Sequence, residues 1–169
     1  LEKNNLKKIK KKADLILASN VFAHSDKLRE MADCMFKLLS KNGTLIIEVQ
    51  YLLNTLKDLT FDNIYHEHYN YWSLSSLINF FNQYNAAIYR VERINTHGGS
   101  IRVYIKKNKK VKVEKNVKEL IKEEDKFGIK KYKTYQEFSK KIYKIRENIR
   151  KNILKLKKNN KKIIGYGSP

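Results

Sequence analysis

The sequence predicts an α/β fold in which a parallel sheet ends in an antiparallel hairpin. Two short apolar runs, residues 13–18 and 44–49, are separated by an amphipathic segment, which is the spacing of a parallel strand-helix-strand unit. Two further runs, residues 86–93 and 100–105, flank a short connector with two consecutive glycines, which indicates a reversal of the chain. A length of 169 residues suits one ordinary domain core.

Each helix is predicted from its apolar spacing and its ends. The first should follow an N-cap at Ser25 or Asp26 and should end at a C-cap formed by Asn42 and Gly43. A short helix is expected within residues 51–59, and Ser73 caps another helix that runs to about residue 84. Residues 114–126 and 134–158 are predicted to be helical, and residues 162–164 read as a strand entering a glycine turn. In the 134–158 helix one apolar stripe is expected to pack on the rest of the protein; it consists of Tyr135, Phe138, Ile142, Ile145, Ile149, Ile153 and Leu156.

The charge of +20 is concentrated at the two ends of the sequence. Residues 1–12 carry +5, residues 13–105 carry −1, and residues 106–169 carry +16. Only six of the 37 basic residues are Arg, whereas phosphate and base recognition favours the planar Arg fork. We therefore expect no nucleic-acid partner.

Composition restricts the class of protein further. With 41% hydrophobic residues the chain is not disordered, and no apolar run reaches the roughly 20 residues of a membrane span. A single cysteine, Cys34, excludes an internal disulfide and a four-thiolate zinc site in this segment, and we read it as a small core residue. The expectation is a soluble cytoplasmic protein with no membrane partner and no metal site in this segment.

The densest polar cluster of the sequence lies in residues 64–69. It supplies Tyr65, His66, Glu67 and His68 within one short loop. A histidine can abstract a proton at neutral pH, a carboxylate can orient it, and a phenol can donate to a developing oxyanion. Two other readings stay open: His66 and His68 could share a metal, or the loop could be purely structural.

Two more segments follow predicted strands. Asn20 and His24 lie just beyond the first strand, where open parallel sheets bind their ligands, and His24 could face the same cleft as His68. The connector that carries His97 could cradle an anion through its backbone N–H groups, or its glycines could simply make the turn. The candidate substrate-binding residues are His66, His97, Gly98, Gly99 and Ser100.

These motifs, in this order, resemble the S-adenosylmethionine-dependent C-methyltransferases that act on nucleotide-linked 4-keto deoxysugars. The similarity covers roughly residues 13–105 and resumes near residues 162–169. It is carried by residues 18–24 (ASNVFAH), 43–49 (GTLIIEV), 61–68 (FDNIYHEH), 96–102 (THGGSIR) and 165–169 (GYGSP).

The resemblance implies a three-part protein: an N-terminal zinc-binding domain, a Rossmann-like methyltransferase domain, and a C-terminal α/β domain that helps to hold the nucleotide sugar. This chain would be an internal fragment. Residues 1–105 would form the second half of the methyltransferase domain, and residues 106–169 a helical connection and the start of the C-terminal domain. The glycine-rich turn for S-adenosylmethionine would precede residue 1, so Asn20 is the expected cofactor contact here, and we expect the isolated fragment to be inactive.

The resemblance also implies site roles. His68 matches the proposed base that removes the proton beside the ketone, and His24, Tyr65 and Glu67 match residues that support the sugar and its enolate. Gln50 stands where the family often has proline. The alternatives are a methyltransferase for another small ketone or an oxygen acceptor, and a non-catalytic basic interaction module motivated by the charge of residues 106–169.

Overall fold

The computed structural model describes residue 9 and residues 11–167. In this part the strands are β1 (Ala13–Ser19), β2 (Leu39–Gln50), β3 (Ala87–Ile94) and β4 (Ser100–Lys106). The α-helices are α1 (Leu28–Leu38), α2 (Leu52–Asp58), α3 (Leu74–Asn82), α4 (Lys115–Phe127) and α5 (Tyr132–Lys158), and Phe22–His24 and Phe61–Asn63 are 3₁₀ turns. The chain divides into two compact units, the first ending at Lys130 and the second beginning at Lys131.

The described strands of the first unit form one sheet with the order β1-β2-β4-β3. β1 and β2 are parallel, whereas β4 lies between β2 and β3 and is antiparallel to both. The predicted α/β fold and its hairpin are therefore confirmed. Because β4 lies between β2 and β3 in the sheet and runs antiparallel to β2, the loop that precedes β4 lies beside the carboxyl end of β2, where Gln50 pairs with Ser100.

The predicted ends of the first helix are wrong. α1 begins at Leu28, so Lys27 rather than Ser25 or Asp26 occupies the N-cap position, and no side chain caps the helix. The helix ends at Leu38, and Gly43 lies inside β2 rather than in a C-cap. A Cβ at residue 43 would lie 2.7 Å from a methyl carbon of Leu39 and 3.0 Å from the carbonyl oxygen of Ala13, so this glycine serves close packing.

One face of the sheet holds the core. Alternate residues of β2 and β4 are almost fully buried there: Leu45, Ile47, Val49, Ile101, Val103 and Ile105. Phe22 and Phe81 stack beneath them at 5.8 Å, and Ser73 begins α3 with a capping box shared with Ser76, as its sequence predicts. At the edge strand β1, by contrast, Leu15 and Leu17 are 60% and 62% exposed.

A buried carboxylate joins α4 to the amino end of α3. Glu124 is fully buried and accepts hydrogen bonds from the Tyr51 hydroxyl at 2.8 Å and from the N–H groups of Leu74 and Ser75 at 2.6 and 3.0 Å. The Ser75 hydroxyl also donates to it. Burial, followed by the charge of Glu124, raises the pKa of Tyr51 well above its ordinary value.

The second unit is dominated by α5, a 27-residue helix. None of its residues is buried, so the expected burial of its apolar stripe is not observed. Residues 161–166 have no regular secondary structure, which corrects the predicted strand at 162–164. Ser168 and Pro169 of the last predicted motif lie outside the described residues.

Candidate active site

A cavity of about 140 Å³ opens at the carboxyl ends of β1 and β2. Asn20 ends β1 in a left-handed conformation, and its N–H donates to the carbonyl of Glu48 at 3.0 Å, which closes β1 against β2. The buried Phe22 then anchors the following turn, so that the exposed His24 stands at the cavity. The cavity is lined by Asn20, Ala23, His24, Val49, Gln50, Asn63, Tyr65, His68 and His97.

Two histidines from distant segments meet in this cavity. The rings of His24 and His68 have centroids 4.7 Å apart, tilted by 39°. The Nδ1 of His24 lies 2.9 Å from the carbonyl oxygen of Glu67, and the Nδ1 of His68 lies 2.7 Å from that of Asn63. A carbonyl oxygen only accepts, so both Nδ1 atoms carry the hydrogen, and in each neutral ring Nε2 has the free lone pair.

Tyr65 packs against this pair from the same loop. Its ring centroid lies 4.7 Å from that of His68 in an edge-to-face contact, and its hydroxyl donates to the Glu67 carboxylate at 3.3 Å. Desolvation, and after it the negative charge of Glu67, raises the pKa of the Tyr65 phenol. The phenol is therefore protonated at neutral pH and is a hydrogen-bond donor.

The loop between β3 and β4 forms another part of the cavity wall. His97, Gly98 and Gly99 have φ angles of 51°, 75° and 104°, a left-handed run that two glycines allow and that His97 adopts against its preference. The Gln50 side-chain amide donates to the His97 carbonyl at 3.0 Å. A Cβ at residue 99 would lie only 2.3 Å from the Asn54 amide nitrogen, so glycine is required there.

A part-buried ion pair between Glu48 and Arg102 contacts the start of the same loop. Glu48, 5% exposed, accepts hydrogen bonds from the Arg102 guanidinium at 2.8 and 3.1 Å. Its second oxygen lies 3.5 Å from the Thr96 hydroxyl, and Thr96 in turn accepts a hydrogen bond from Ser100 at 3.1 Å. Glu48 and Arg102 are also paired across β2 and β4, so the ion pair and its hydrogen bonds connect these strands to the first residues of the loop.

The structure brings together part of the predicted site. His24, His68, Tyr65, Asn20 and His97 all line the cavity. The remaining predicted residues do not line it: His66 is exposed beside Tyr65, Glu67 contributes its carbonyl and carboxylate as described above, and Gly98, Gly99 and Ser100 shape the loop.

Sequence reasoning missed the roles of Asn63 and Gln50 in the cavity. Asn63 acts through its backbone carbonyl, which accepts from the His68 ring at 2.7 Å and from the Tyr71 hydroxyl at 3.4 Å. A backbone contact of this kind leaves no residue-type signal. Gln50 did carry a signal, because a polar residue follows the apolar run at the carboxyl end of a buried strand.

In the described part of the chain, the basic residues that contribute to its charge of +20 do not reach the cavity. No Lys, Arg, Asp or Glu belongs to its lining. Within residues 9 and 11–167 no group of three or more His, Cys, Asp or Glu side chains is placed to hold a metal ion. Polar lining atoms of Asn20, Gln50 and the two paired histidines suit a small ligand with hydroxyl groups.

Comparisons with known proteins give two family matches, one over the N-terminal half of the chain and one over the C-terminal half. The sequence model of the family described as "Methyltransferase domain" matches residues 2–91, and that of the "C-methyltransferase C-terminal domain" matches residues 95–169. The C-methyltransferase NovU of Streptomyces niveus is 34% identical over 158 residues, which cover 93% of this chain. The chain spans 38% of the length of that relative.

Among solved structures, the magnesium protoporphyrin IX methyltransferase ChlM of Synechocystis PCC 6803, with bound SAH, aligns with a TM-score of 0.46 at 14% identity. The alignment covers 59% of this chain and 47% of that one. Within the described residues, no helix is both long enough and apolar enough to cross a bilayer.

Proposed function

Since the chain belongs to the methyltransferase-domain family and continues into a C-methyltransferase C-terminal domain, we propose that its protein methylates carbon on a nucleotide-linked 4-keto deoxysugar. The 34% identity to a named C-methyltransferase supports methyl transfer to carbon. The observation that carries the proposal is the pairing of His24 with His68 in a small cavity whose lining contains no Lys, Arg, Asp or Glu.

In the proposed reaction His68 removes the proton from the carbon beside the ketone. Its Nδ1–H is engaged by the Asn63 carbonyl, so the free lone pair belongs to Nε2. The carbonyl at 2.7 Å also stabilises the imidazolium that forms when the proton arrives. Tyr71 shares the same carbonyl oxygen and helps to fix its position.

The enolate oxygen needs a hydrogen-bond donor, and Tyr65 is our candidate. Its phenol keeps its proton at neutral pH, and the 3.3 Å bond to Glu67 is long enough to be exchanged for a shorter one to an oxyanion. His24, held through its own Nδ1–H by the Glu67 carbonyl, lies beside the base and is proposed to contact the substrate.

S-adenosylmethionine, when bound, supplies the electrophilic methyl group on its sulfonium. Asn20 is the residue of the described chain that we propose to contact it, because it lies at the end of β1 and lines the cavity. The amide of Asn20 has only a 3.5 Å contact to the Ser19 hydroxyl, so it is available for a ligand. Zinc, implied by the resemblance for an N-terminal domain, and the cytoplasmic location remain predictions.

The substrate class rests on the character of the cavity. A wall of amides, imidazoles and a phenol accepts hydrogen bonds from hydroxyl groups and donates hydrogen bonds to them, and it contains no lysine or arginine to bind a phosphate. We therefore place the neutral sugar ring in the cavity and its diphosphate outside it. Another small neutral ketone fits the same description, and methyl transfer to oxygen is the other alternative.

We also propose that residues 1–105 belong to the methyltransferase domain and residues 106–169 to the connection and the following domain. The change from one family match to the other between residues 91 and 95 supports a division near this place. The compact first unit nevertheless extends to Lys130, because α4 packs on the sheet through Val117 and Leu120.

Exchange of the substrate's α-proton in deuterated water tests the function. With S-adenosylmethionine omitted, the full-length protein to which this chain is proposed to belong should wash deuterium into a nucleotide-linked 4-keto-6-deoxyhexose, and His68→Asn in that protein should abolish the exchange. Asn82→Ala, an exposed change at the end of α3, is the matched control and should leave it unchanged. Exchange retained in His68→Asn would remove His68 from the role of base, and methyl transfer to oxygen would show no wash-in at carbon.

The basic-module alternative makes a separate prediction. If the +16 of residues 106–169 serves to bind nucleic acid, affinity should fall steeply with salt through counterion release. Electrophoretic mobility shifts with a 30-base-pair duplex between 50 and 200 mM salt would measure it. No binding, or binding independent of salt, would dispose of this alternative.

A further inference from the structure

Gln50 occupies a special place in the cavity wall. It is the last residue of β2, it lines the cavity, and it pairs with Ser100 at the start of β4. Its Nε2 donates to the carbonyl of His97 at 3.0 Å. Because a carbonyl oxygen only accepts, this bond identifies which end of the amide faces the loop, and the other end, Oε1, is an acceptor.

The loop that receives this bond is held in an unfavourable conformation. His97 is a non-glycine residue with φ 51°, followed by two glycines that are also left-handed. The base of the loop has its own bonds: Gly99 N–H donates to Thr96, and the N–H of Tyr51 donates to Gly99. These bonds fix residues 96 and 99, whereas the Gln50 amide reaches the peptide group at the tip, beside the His97 ring in the cavity wall.

We propose that Gln50 is a positioning residue: its amide latches the His97 loop against the cavity and thereby determines how firmly the substrate is held. The proposal rests on the function proposed above. Gln50 takes no part in proton removal, so its loss should weaken substrate binding while leaving the chemical step intact. This pattern separates it from His68, whose loss removes the step itself.

Two substitutions isolate the N–H donor. Gln50→Glu keeps the size of the side chain but replaces the donor with an acceptor that repels the carbonyl, and Gln50→Met keeps the length without charge. Gln83→Met is the matched control, because Gln83 is exposed and follows α3 far along the chain from both segments. Two variants of different charge also guard against a single one that fails to fold.

The first measurement needs no substrate. The His97 carbonyl and the Gly98 N–H share one peptide group, so loss of the latch should move the Gly98 amide resonance in a ¹⁵N spectrum and increase its fast motion in relaxation measurements. Resonances of β2 and β4 away from the loop should stay in place and so report an intact sheet. An unchanged Gly98 signal in both variants would overturn the latch.

The second measurement uses the full-length protein, in unmodified form and with each Gln50 substitution, and a nucleotide-linked 4-keto-6-deoxyhexose as substrate. Loss of one hydrogen bond predicts a rise in KM of about 3- to 10-fold with kcat changed less than about 2-fold. A moved Gly98 resonance with KM equal to that of the control would refute the link to substrate. If the unmodified enzyme shows no α-proton exchange, the proposed function fails, but the ¹⁵N result still decides whether the latch exists.

Discussion

The buried carboxylate of Glu124 allows a quantitative prediction about stability. Four hydrogen bonds end on it, and its side chain is fully buried. Each hydrogen bond to a charged acceptor contributes about 1.5–3 kcal/mol, but the four share one group and their losses do not add. Glu124→Ala leaves these buried donors without a partner, which costs about 1–3 kcal/mol for each donor that stays unsatisfied, so we expect it to destabilise the first unit by about 4 kcal/mol.

Urea unfolding, followed by fluorescence, measures this loss. The single tryptophan, Trp72, is 7% exposed and lies two residues before the α3 N–H groups that Glu124 binds, so it reports on this region. With a slope of about 2 kcal/mol per molar urea, the midpoint should fall by about 2 M. Glu124→Gln keeps the volume but turns a donor toward the helix N–H groups, and it should lose about 2–3 kcal/mol.

Glu119 provides the matched control on the same helix. Its carboxylate is 57% exposed and pairs with the exposed Lys115 one turn away, an interaction that solvent screens and that adds little to stability. Glu119→Ala should therefore barely change the midpoint. If Glu124→Ala cost no more than Glu119→Ala, the reasoning that this carboxylate joins α4 to α3 would be refuted.

Further predictions concern pH, the glycine loop and a helix cap. Because the pKa of Tyr51 is raised, the folded chain keeps a phenol proton that the unfolded chain loses above pH 10. The free energy of unfolding should therefore fall above pH 10 by up to about 1.4 kcal/mol per pH unit. Tyr51→Phe should reduce this slope in urea titrations made at several pH values. Gly99→Ala should lower the free energy of unfolding by about 2–3 kcal/mol, because φ is 104° there and the new Cβ would meet the Asn54 side chain. Gly98→Ala should lower it by about 1 kcal/mol, because no atom outside the adjacent residues would lie nearer than 3.8 Å to the new Cβ. Equal losses for the two variants in calorimetry would contradict the steric argument. Ser73→Ala should cost about 1 kcal/mol by removing the cap of α3, and an unchanged melting temperature would show that the cap contributes nothing.

Apolar patterning predicted the elements themselves better than it predicted their burial. β2 and the β3–β4 hairpin were predictable because burial on a sheet leaves an apolar run bounded by polar or glycine residues. β1 and α5 were predicted from similar apolar patterns, although Leu15 and Leu17 are exposed and α5 has no buried residue. The C-cap predicted at Gly43 was wrong because a single sequence does not distinguish a glycine that ends a helix from one that lets a neighbouring strand pack closely. The N-cap predicted at Ser25 or Asp26 was wrong because the helix begins at Leu28, which puts Lys27 in the N-cap position.

The candidate site was predictable where it depends on side-chain chemistry. The strand ends and the histidine-rich loop placed His24 and His68 in one cleft, and the rings do meet there. What the sequence could not supply is the tautomer of each ring, which is fixed by two backbone carbonyls, of Glu67 and Asn63. Backbone partners are independent of residue type, so only coordinates reveal them.

The exposed edge of β1 has a practical consequence for the chain in solution. Among the described strands β1 pairs with β2 alone, so the peptide groups along its other side have no strand beside them. Leu15 and Leu17 add an uncovered apolar face to this edge. An unprotected edge of this kind recruits further strands and promotes precipitation as protein concentration rises. We therefore expect Leu15→Lys or Leu17→Lys to raise the concentration at which this chain, prepared on its own, begins to precipitate.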